Sequence, residues 1–122
     1  MTIRVGINGF GRIGRLAMRV AWDSDLIKVV HVNEIAGDLE SAAHLIKFDS
    51  IHGTWDRNVA ICDSEKSLII DGSTVSYSQN LELENQAWSE ANVDLVIDCT
   101  GQFKSQESLA PYFQQGVNRV VV

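Results

Sequence analysis

A glycine-rich turn directly after a short apolar run constrains this chain more than any other feature. The run from Ile3 to Ile7 alternates apolar residues and breaks at Asn8. Three glycines then follow in the pattern G-x-G-x-x-G: Gly9, Gly11 and Gly14. The next residues place apolar side chains at positions 13, 16, 17, 20 and 21, the spacing of one helical face. The stretch therefore predicts a strand, a tight turn and a helix.

Each glycine has a separate role if this turn binds a dinucleotide. Gly9 lets the strand reverse sharply, Gly11 lets the backbone approach a pyrophosphate, and Gly14 lets the helix pack closely on the strand. The helix then points its free N–H groups, those of Arg12 and Ile13, and its positive dipole end at the phosphates. The alternatives are that the glycine loop is an ordinary tight turn and that Arg12 is a plain surface arginine.

A second apolar run, Leu26 to Val32, predicts the next strand and ends in Asn33 and Glu34. Glu34 lies twenty residues beyond Gly14, where a dinucleotide-binding fold keeps an acid for the adenosine ribose hydroxyls. Its carboxylate would accept from the 2′-OH and repel a 2′-phosphate, so we expect NAD rather than NADP. The alternative is that Glu34 caps the following helix.

Charge and composition argue against several other classes of protein. The net charge is −6, yet the first 20 of the 122 residues carry four arginines and no acid. This asymmetry suits a small anionic cofactor and not nucleic acid, which needs a broad positive face. No apolar run approaches the ~20 residues that cross a bilayer, so no membrane partner is expected. Two cysteines are too few for a disulfide scaffold, which favours a reduced, cytoplasmic setting.

The rest of the chain predicts a Rossmann-type α/β fold, a mostly parallel sheet with helices on both faces and a small antiparallel insertion. Asp38 is the expected N-cap of a second helix. Short strands are expected at residues 59–62, 67–70 and 74–77, and a buried one at 95–98. Asp71-Gly72 is a type I′ hairpin signal between two of them.

The last 20 or so residues predict a helix and a strand. Pro111 cannot occupy a helix interior without loss of a hydrogen bond, so we place the N-cap at Ser108 and Pro111 in the first turn. Residues 119–122 predict a further buried strand, inside which the chain stops. We therefore expect residues 1–122 to be an incomplete NAD-binding domain, with the catalytic domain absent from this chain.

Several motifs resemble the glyceraldehyde-3-phosphate dehydrogenase family and its sister erythrose-4-phosphate dehydrogenases. V-G-I-N-G-F-G-R-I-G-R at 5–15 is similar to the family's N-terminus. The likeness continues through H-L-I-K-F-D-S-I-H-G at 44–53, Trp88 and V-D-L-V-I-D-C-T-G at 93–101, and closes with G-V-N-R-V-V-V at 116–122. It covers the whole chain.

The resemblance implies a phosphorylating aldehyde dehydrogenase. Such an enzyme forms a thiohemiacetal of a phosphorylated aldehyde on a cysteine, passes hydride to NAD and releases the acyl group to phosphate, and the full-length protein is expected to be a homotetramer. The family's catalytic cysteine lies in S-N-A-S-C-T-T-N, which this chain lacks, so no catalytic residue is expected here. Two alternatives stay open: an erythrose-4-phosphate dehydrogenase that hydrolyses the thioester, and a non-catalytic, redox-sensing nucleotide-binding module.

The resemblance adds site residues to those of the glycine loop. It implies that Asn8 ties the loop down and that Thr100 and Gly101 pass beneath the nicotinamide half, with Phe103 as their aromatic neighbour. A plain strand-to-helix turn is the alternative for Thr100 and Gly101. The full expected cofactor site is Asn8, Gly9, Gly11, Arg12, Ile13, Gly14, Asn33, Glu34, Thr100, Gly101 and Phe103.

The chain departs from the family pattern at two places. The family usually has aspartate where Glu34 stands; glutamate occurs in the erythrose-4-phosphate branch, as does D-C-T-G at 98–101. Residues 33–38 and 76–80 look more like a divergent branch associated with arsenate resistance. Leu81 replaces an arginine or lysine that often reaches the adenine, so adenine recognition is expected to be weaker or purely apolar.

Cysteine and histidine do not predict further chemistry. Cys99 ends an apolar strand with no histidine nearby in sequence, so we interpret it as structural rather than nucleophilic. The three histidines, His31, His44 and His52, lack the spacing of a zinc site, and no metal is expected.

Overall fold

The computed structural model describes residues 2–49, 53–80, 88–101 and 106–122, apart from the side chains of 106 and 107. Helices and strands alternate in the first 49 residues, and the described residues after them form mainly strands, followed by one helix and a last strand. In chain order they are β1 (Ile3–Asn8), α1 (Arg12–Trp22), β2 (Ile27–Asn33), α2 (Leu39–Lys47), β3 (Phe48–Asp49), β4 (Gly53–Thr54), β5 (Val59–Cys62), β6 (Ser67–Ile70), β7 (Ser73–Ser78), β8 (Leu95–Asp98), α3 (Gln106–Gln114) and β9 (Arg119–Val121).

Within the described residues the main sheet has seven strands, in the order β5-β6-β7-β2-β1-β8-β9. Neighbours from β7 to β9 pair in parallel, whereas β5, β6 and β7 pair antiparallel. The predicted mostly parallel sheet with a small antiparallel insertion is therefore confirmed. The carboxyl ends of four strands meet side by side, because Ser78 lies opposite Asn33, Asn33 opposite Asn8, and Asn8 opposite Asp98.

Helices cover both faces of this sheet, as predicted. On one face Met18 of α1 and Ile46 of α2 pack in a cluster with Ile7 of β1. On the other face Tyr112 of α3 packs with Val96 of β8 in a second cluster. These side chains are fully buried, and each contributes roughly 1.5–3 kcal/mol through removal of apolar surface from water.

Two local sequence signals form the structures expected of them. Asp38 caps α2, since its carboxylate accepts a hydrogen bond of 2.8 Å from the backbone N–H of Ser41. Hydrogen bonding with Ser41 lowers the pKa of Asp38. Asp71 and Gly72 have φ values of 49° and 82° in the turn between β6 and β7. Positive φ at both positions is what a type I′ turn requires.

One expectation about the C-terminal part was wrong. Pro111 lies inside α3, which begins at Gln106 rather than after a cap at Ser108. The next residue, Tyr112, is fully buried against the sheet, and this packing offsets the lost helical hydrogen bond. The strand predicted at residues 119–122 forms as β9, which pairs with β8 at the edge of the described sheet and leaves Val121 52% exposed.

In the part of the chain that the structure describes, no helix combines the length and apolar character needed to cross a membrane.

Candidate functional site

A cavity of about 280 Å³ opens at the carboxyl edge of the sheet, where β2, β1 and β8 end. Such edges, at the point where the strand order reverses, are where open α/β sheets bind ligands. Six of the predicted site residues line this cavity: Asn8, Gly9, Gly11, Asn33, Glu34 and Thr100. Phe103, Leu81 and His52 lie outside the described residues.

The first and third glycines of the loop are required by the fold itself. Gly9 has φ +92°, and a Cβ there would lie 2.9 Å from the carbonyl carbon of Cys99. A Cβ on Gly14 would lie 2.1 Å from the carbonyl oxygen of Gly9, so α1 can cross the loop only because Gly14 has no side chain. The predicted sharp turn and close helix packing are both confirmed.

Gly11 is different, because nothing in the described chain requires a glycine there. Its φ of −76° suits any residue, and a Cβ would meet no atom within 4 Å. Gly11 is also one of the residues that line the cavity. The structure therefore leaves room for a group to come close to the backbone at this point.

The first helix begins at Arg12, directly beside the cavity. Gly11 is its N-cap and provides no side-chain hydrogen bond, and the first turn holds no acidic residue. Both Arg12 and Ile13 are exposed. The positive end of the α1 dipole therefore has no carboxylate of its own and is available to an anion.

Glu34 joins the glycine loop to the end of β2. Its Oε2 accepts a hydrogen bond of 2.7 Å from the backbone N–H of Phe10, while Oε1 lies 3.3 Å from the N–H of Ala36. The carbonyl of Phe10 accepts from the guanidinium of Arg15 at 3.0 Å. The alternative role of Glu34 as a helix cap is wrong, since Asp38 caps α2.

A row of buried hydrogen bonds crosses the sheet at the cavity floor. Asn33 Nδ2 donates to Asn8 Oδ1 at 3.0 Å, and Asn8 Nδ2 donates to the Tyr112 hydroxyl at 2.6 Å. Tyr112 in turn donates to Asp98 Oδ2 at 2.6 Å. Burial, together with the neighbouring Asp98 carboxylate, raises the pKa of Tyr112 well above its usual range. The hydroxyl therefore keeps its proton at neutral pH.

The same row continues on the other side of Asn33. Its Oδ1 accepts from the Ser78 hydroxyl at 2.6 Å and from the Asn80 backbone N–H at 3.0 Å. The ring of His31 lies between two serines, with Nδ1 2.6 Å from Ser76 Oγ and Nε2 2.9 Å from Ser78 Oγ. Burial lowers the pKa of His31 to about 4, so the ring is neutral at pH 7.

Sequence reasoning missed most of this row. It singled out Asn8 and Asn33 but not the residues that hold them in place: His31, Ser76, Ser78, Asn80, Asp98 and Tyr112. One signal was present, since His31 and Asn33 share a face of β2 and face Ser76 and Ser78 in register on β7. It can be used only when the pairing of β2 with β7 is known.

The segment after β8 is held by Asp98. Thr100 donates to Asp98 Oδ1 from its hydroxyl at 2.7 Å and from its backbone N–H at 3.0 Å. Gly101 follows with φ +73°, an angle that favours glycine. Burial raises the pKa of the Cys99 thiol, the opposite of what a nucleophile needs. Among the described residues, no group of three His, Cys, Asp or Glu side chains could hold a metal ion.

A parallel sheet with a glycine loop at its carboxyl edge and an acid at the end of the next strand defines a Rossmann-type dinucleotide-binding domain. The family model described as "Glyceraldehyde 3-phosphate dehydrogenase, NAD binding domain" matches residues 3–106. The chain therefore belongs to this family, and its cofactor is NAD.

Curated proteins support the same assignment. The chain is 48% identical over 122 residues to "Glyceraldehyde-3-phosphate dehydrogenase 3" of Nostoc sp., which is 100% of this chain and 36% of that protein. It is 38% identical over 122 residues, again 100% and 36%, to the glyceraldehyde-3-phosphate dehydrogenase of Geobacillus stearothermophilus. It is 40% identical over 119 residues, 98% and 35%, to "Glyceraldehyde-3-phosphate dehydrogenase 1" of Schizosaccharomyces pombe. The chain thus spans just over a third of the length of these relatives.

Proposed function

We propose that this chain is the NAD-binding part of a phosphorylating glyceraldehyde-3-phosphate dehydrogenase. In this proposal residues 1–122 form the cofactor domain, and the catalytic cysteine and the substrate pocket lie in further parts of a longer protein. The observation that carries the proposal is the cavity that Gly11 leaves open between the start of α1 and the carboxylate of Glu34. The names of the relatives supply the substrate class, a phosphorylated aldehyde.

The chain's own residues bind and orient the cofactor, which when bound accepts a hydride from the aldehyde. The N–H groups of Arg12 and Ile13 at the start of α1 would face the pyrophosphate, where the helix dipole favours negative charge. Glu34 has one oxygen committed to Phe10, and its Oε1, 3.3 Å from the Ala36 N–H, is placed for the ribose hydroxyls.

Two further groups of residues complete the proposed site. Asn8 and Asn33 form the cavity floor under the adenosine side. The side-chain oxygen of Asn33 accepts from the backbone N–H of Asn80 and so holds Asn80 in place. Thr100 and Gly101 would pass beneath the nicotinamide side, with Phe103 as the aromatic neighbour that the family resemblance implies. We also propose that the longer protein is a cytoplasmic homotetramer, as the resemblance implies.

The proposal is tested by NADH formation in the longer protein that contains this chain. Glyceraldehyde 3-phosphate should give NADH only when inorganic phosphate is present, because phosphate must release the acyl group. NADH formation from erythrose 4-phosphate without phosphate would instead support the sister enzyme. Tight NAD binding with no turnover of either aldehyde would support the redox-sensing module.

A further inference from the structure

The carboxylate of Asp98 imposes a direction on the hydrogen bonds around it. A carboxylate can only accept, and Asp98 accepts from the Tyr112 hydroxyl and from both the hydroxyl and the N–H of Thr100. The single proton of Tyr112 is therefore committed to Asp98. Only the acceptor lone pairs of the Tyr112 oxygen remain for other partners.

This direction passes through two amides. Because the Tyr112 oxygen must accept, Asn8 faces it with Nδ2 and turns Oδ1 towards Asn33. Asn33 then donates from Nδ2 to Asn8, and also to the Asn80 carbonyl at 2.9 Å, so its own Oδ1 faces the other way. That oxygen accepts from the Asn80 N–H and from the Ser78 hydroxyl. The two ends of the row, a carboxylate and a backbone N–H, thus require the same orientation of both amides.

The row also assigns the tautomer of His31. The proton of Ser78 is given to Asn33, so Ser78 can only accept from His31, and Nε2 must carry the ring hydrogen. In the neutral ring Nδ1 is then an acceptor, and Ser76 donates to it at 2.6 Å. Ser76 Oγ also lies 3.1 Å from the Val30 carbonyl, the longer of its two contacts.

We propose that Asp98 is a positioning residue of the cofactor site. Through Tyr112 it sets the orientation of the Asn8 amide, which supports Asn33 and, through Asn33, Asn80 on the adenosine side. Directly, it holds Thr100 on the nicotinamide side. One carboxylate that does not itself line the cavity thereby fixes both of its edges. This inference rests on the function proposed above, because it is that function which gives the cavity its two sides.

The substitution Asp98→Asn tests the direction of the row, because it changes one oxygen into an NH₂ group of the same shape. The backbone N–H of Thr100 cannot reverse, so the remaining oxygen must face Thr100 and the NH₂ must face Tyr112. Tyr112 then accepts from position 98 and gives its proton to Asn8, whose amide has to turn over.

The reversal then reaches the far end of the row. A turned Asn8 presents NH₂ to the Nδ2 of Asn33, so the hydrogen bond between the two amides is lost unless Asn33 turns as well. If Asn33 turns, its NH₂ faces the Asn80 N–H and its oxygen faces the Asn80 carbonyl, so the contacts of 3.0 and 2.9 Å with Asn80 are both lost. Tyr112→Phe is the matched control: it removes the link between Asp98 and Asn8 without reversing any amide, so Asn33 and Asn80 keep their contact.

The measurements use the 122-residue chain and titrate ADP-ribose and NAD by calorimetry. We expect Asp98→Asn to lower the affinity for both ligands about tenfold, which is the order expected from loss of a buried hydrogen bond at the cavity. Tyr112→Phe should lower the same affinities by about threefold or less. The free energy of unfolding in urea should fall in both variants. Equal affinity losses in the two variants, or none in Asp98→Asn, would overturn the inference.

Nitrogen NMR of the His31 ring tests the same row without any ligand. The unmutated chain should show the Nε2–H tautomer, and so should Tyr112→Phe. Ser78→Ala removes the acceptor for Nε2, so His31 should change to the Nδ1–H form and donate to Ser76. A wild-type ring with hydrogen on Nδ1 would overturn the inference even if Asp98→Asn does not fold. Failure of the unmutated chain to bind ADP-ribose would instead count against the proposed function.

Discussion

The carboxylate of Glu34 accepts a hydrogen bond of 2.7 Å from the backbone N–H of Phe10. The acid at the end of β2 therefore holds the glycine loop that follows β1, although 24 positions separate the two residues. One side chain both shapes the loop and places negative charge beside the cavity. A change at Glu34 can affect cofactor choice through charge and loop position through this bond.

Glu34→Gln separates these two effects, because a glutamine oxygen can still accept from Phe10 while the charge is gone. We expect the preference for NAD over NADP to narrow about tenfold, since repulsion of the 2′-phosphate is relieved. Calorimetric titration of both cofactors measures the ratio. Glu40→Gln, in the exposed first turn of α2, should leave it unchanged. Equal binding of the two cofactors by the unmutated chain would contradict the prediction.

The loop glycines should respond differently to alanine. Gly11→Ala should leave the free energy of unfolding within ~0.5 kcal/mol, because its φ is ordinary and its Cβ meets no atom, yet NAD affinity should fall. Gly14→Ala should lower the free energy of unfolding by at least ~2 kcal/mol, because the new Cβ meets the Gly9 carbonyl oxygen at 2.1 Å. Urea unfolding and NAD titration compare the two variants. Normal NAD binding by Gly11→Ala would mean that no phosphate approaches this loop.

His31 should make stability depend on pH. Its pKa is 6.5 in the unfolded chain and about 4 in the fold, where burial disfavours the charged ring. Between pH 6.5 and about 4 the unfolded state therefore binds more protons than the folded state. The free energy of unfolding is highest above pH 6.5, where the ring is neutral in both states, and it falls as the pH falls towards 4. The loss should be on the order of 3 kcal/mol.

His31→Gln tests this dependence, because it removes the titrating ring. The free energy of unfolding in urea should decline less between pH 7 and 4.5 for His31→Gln than for the unmutated chain. His44→Gln changes an exposed histidine on α2 and should decline as the unmutated chain does. Parallel curves for all three proteins would show that the ring of His31 is not held neutral by burial.

The 122-residue chain should bind ADP-ribose nearly as tightly as NAD, within about threefold, and show no dehydrogenase activity. The cavity joins the glycine loop, Asn33 and Glu34, which serve the adenosine and pyrophosphate groups, whereas Thr100 is the residue of the nicotinamide side that lines it. Parallel titrations of the two ligands measure the difference. A strong preference for NAD would show that the nicotinamide end already contributes most of the binding energy.

Short-range patterns predicted the glycine loop, an acid at the end of the second strand and the Asp71-Gly72 turn, because each depends on neighbours in sequence or on a fixed spacing. The hydrogen bonds that hold the site together depend instead on tertiary packing. Tyr112 is 104 positions from Asn8, and its contact exists only because α3 packs on the sheet beside β8.

Packing also explains the local predictions that failed. Pro111 argues for a helix boundary when α3 is considered alone, but the buried Tyr112 beside it holds the helix on the sheet. Gly6 shows the same limit, because a Cβ there would lie 2.5 Å from the ring of Trp88, a residue that sequence alone does not place near it.

The antiparallel hairpin of β6 and β7 has a consequence for the order in which the chain folds. Its two-residue turn lets it close on its own in roughly 1–10 μs, whereas the parallel pairing of β2 with β7 must bring together His31 and Ser76, 45 positions apart. Long loops close more slowly than short ones. We therefore expect β7 to be formed first and to serve as the template onto which β2 aligns, so that the serines on its edge select the register of the strand that carries Asn33.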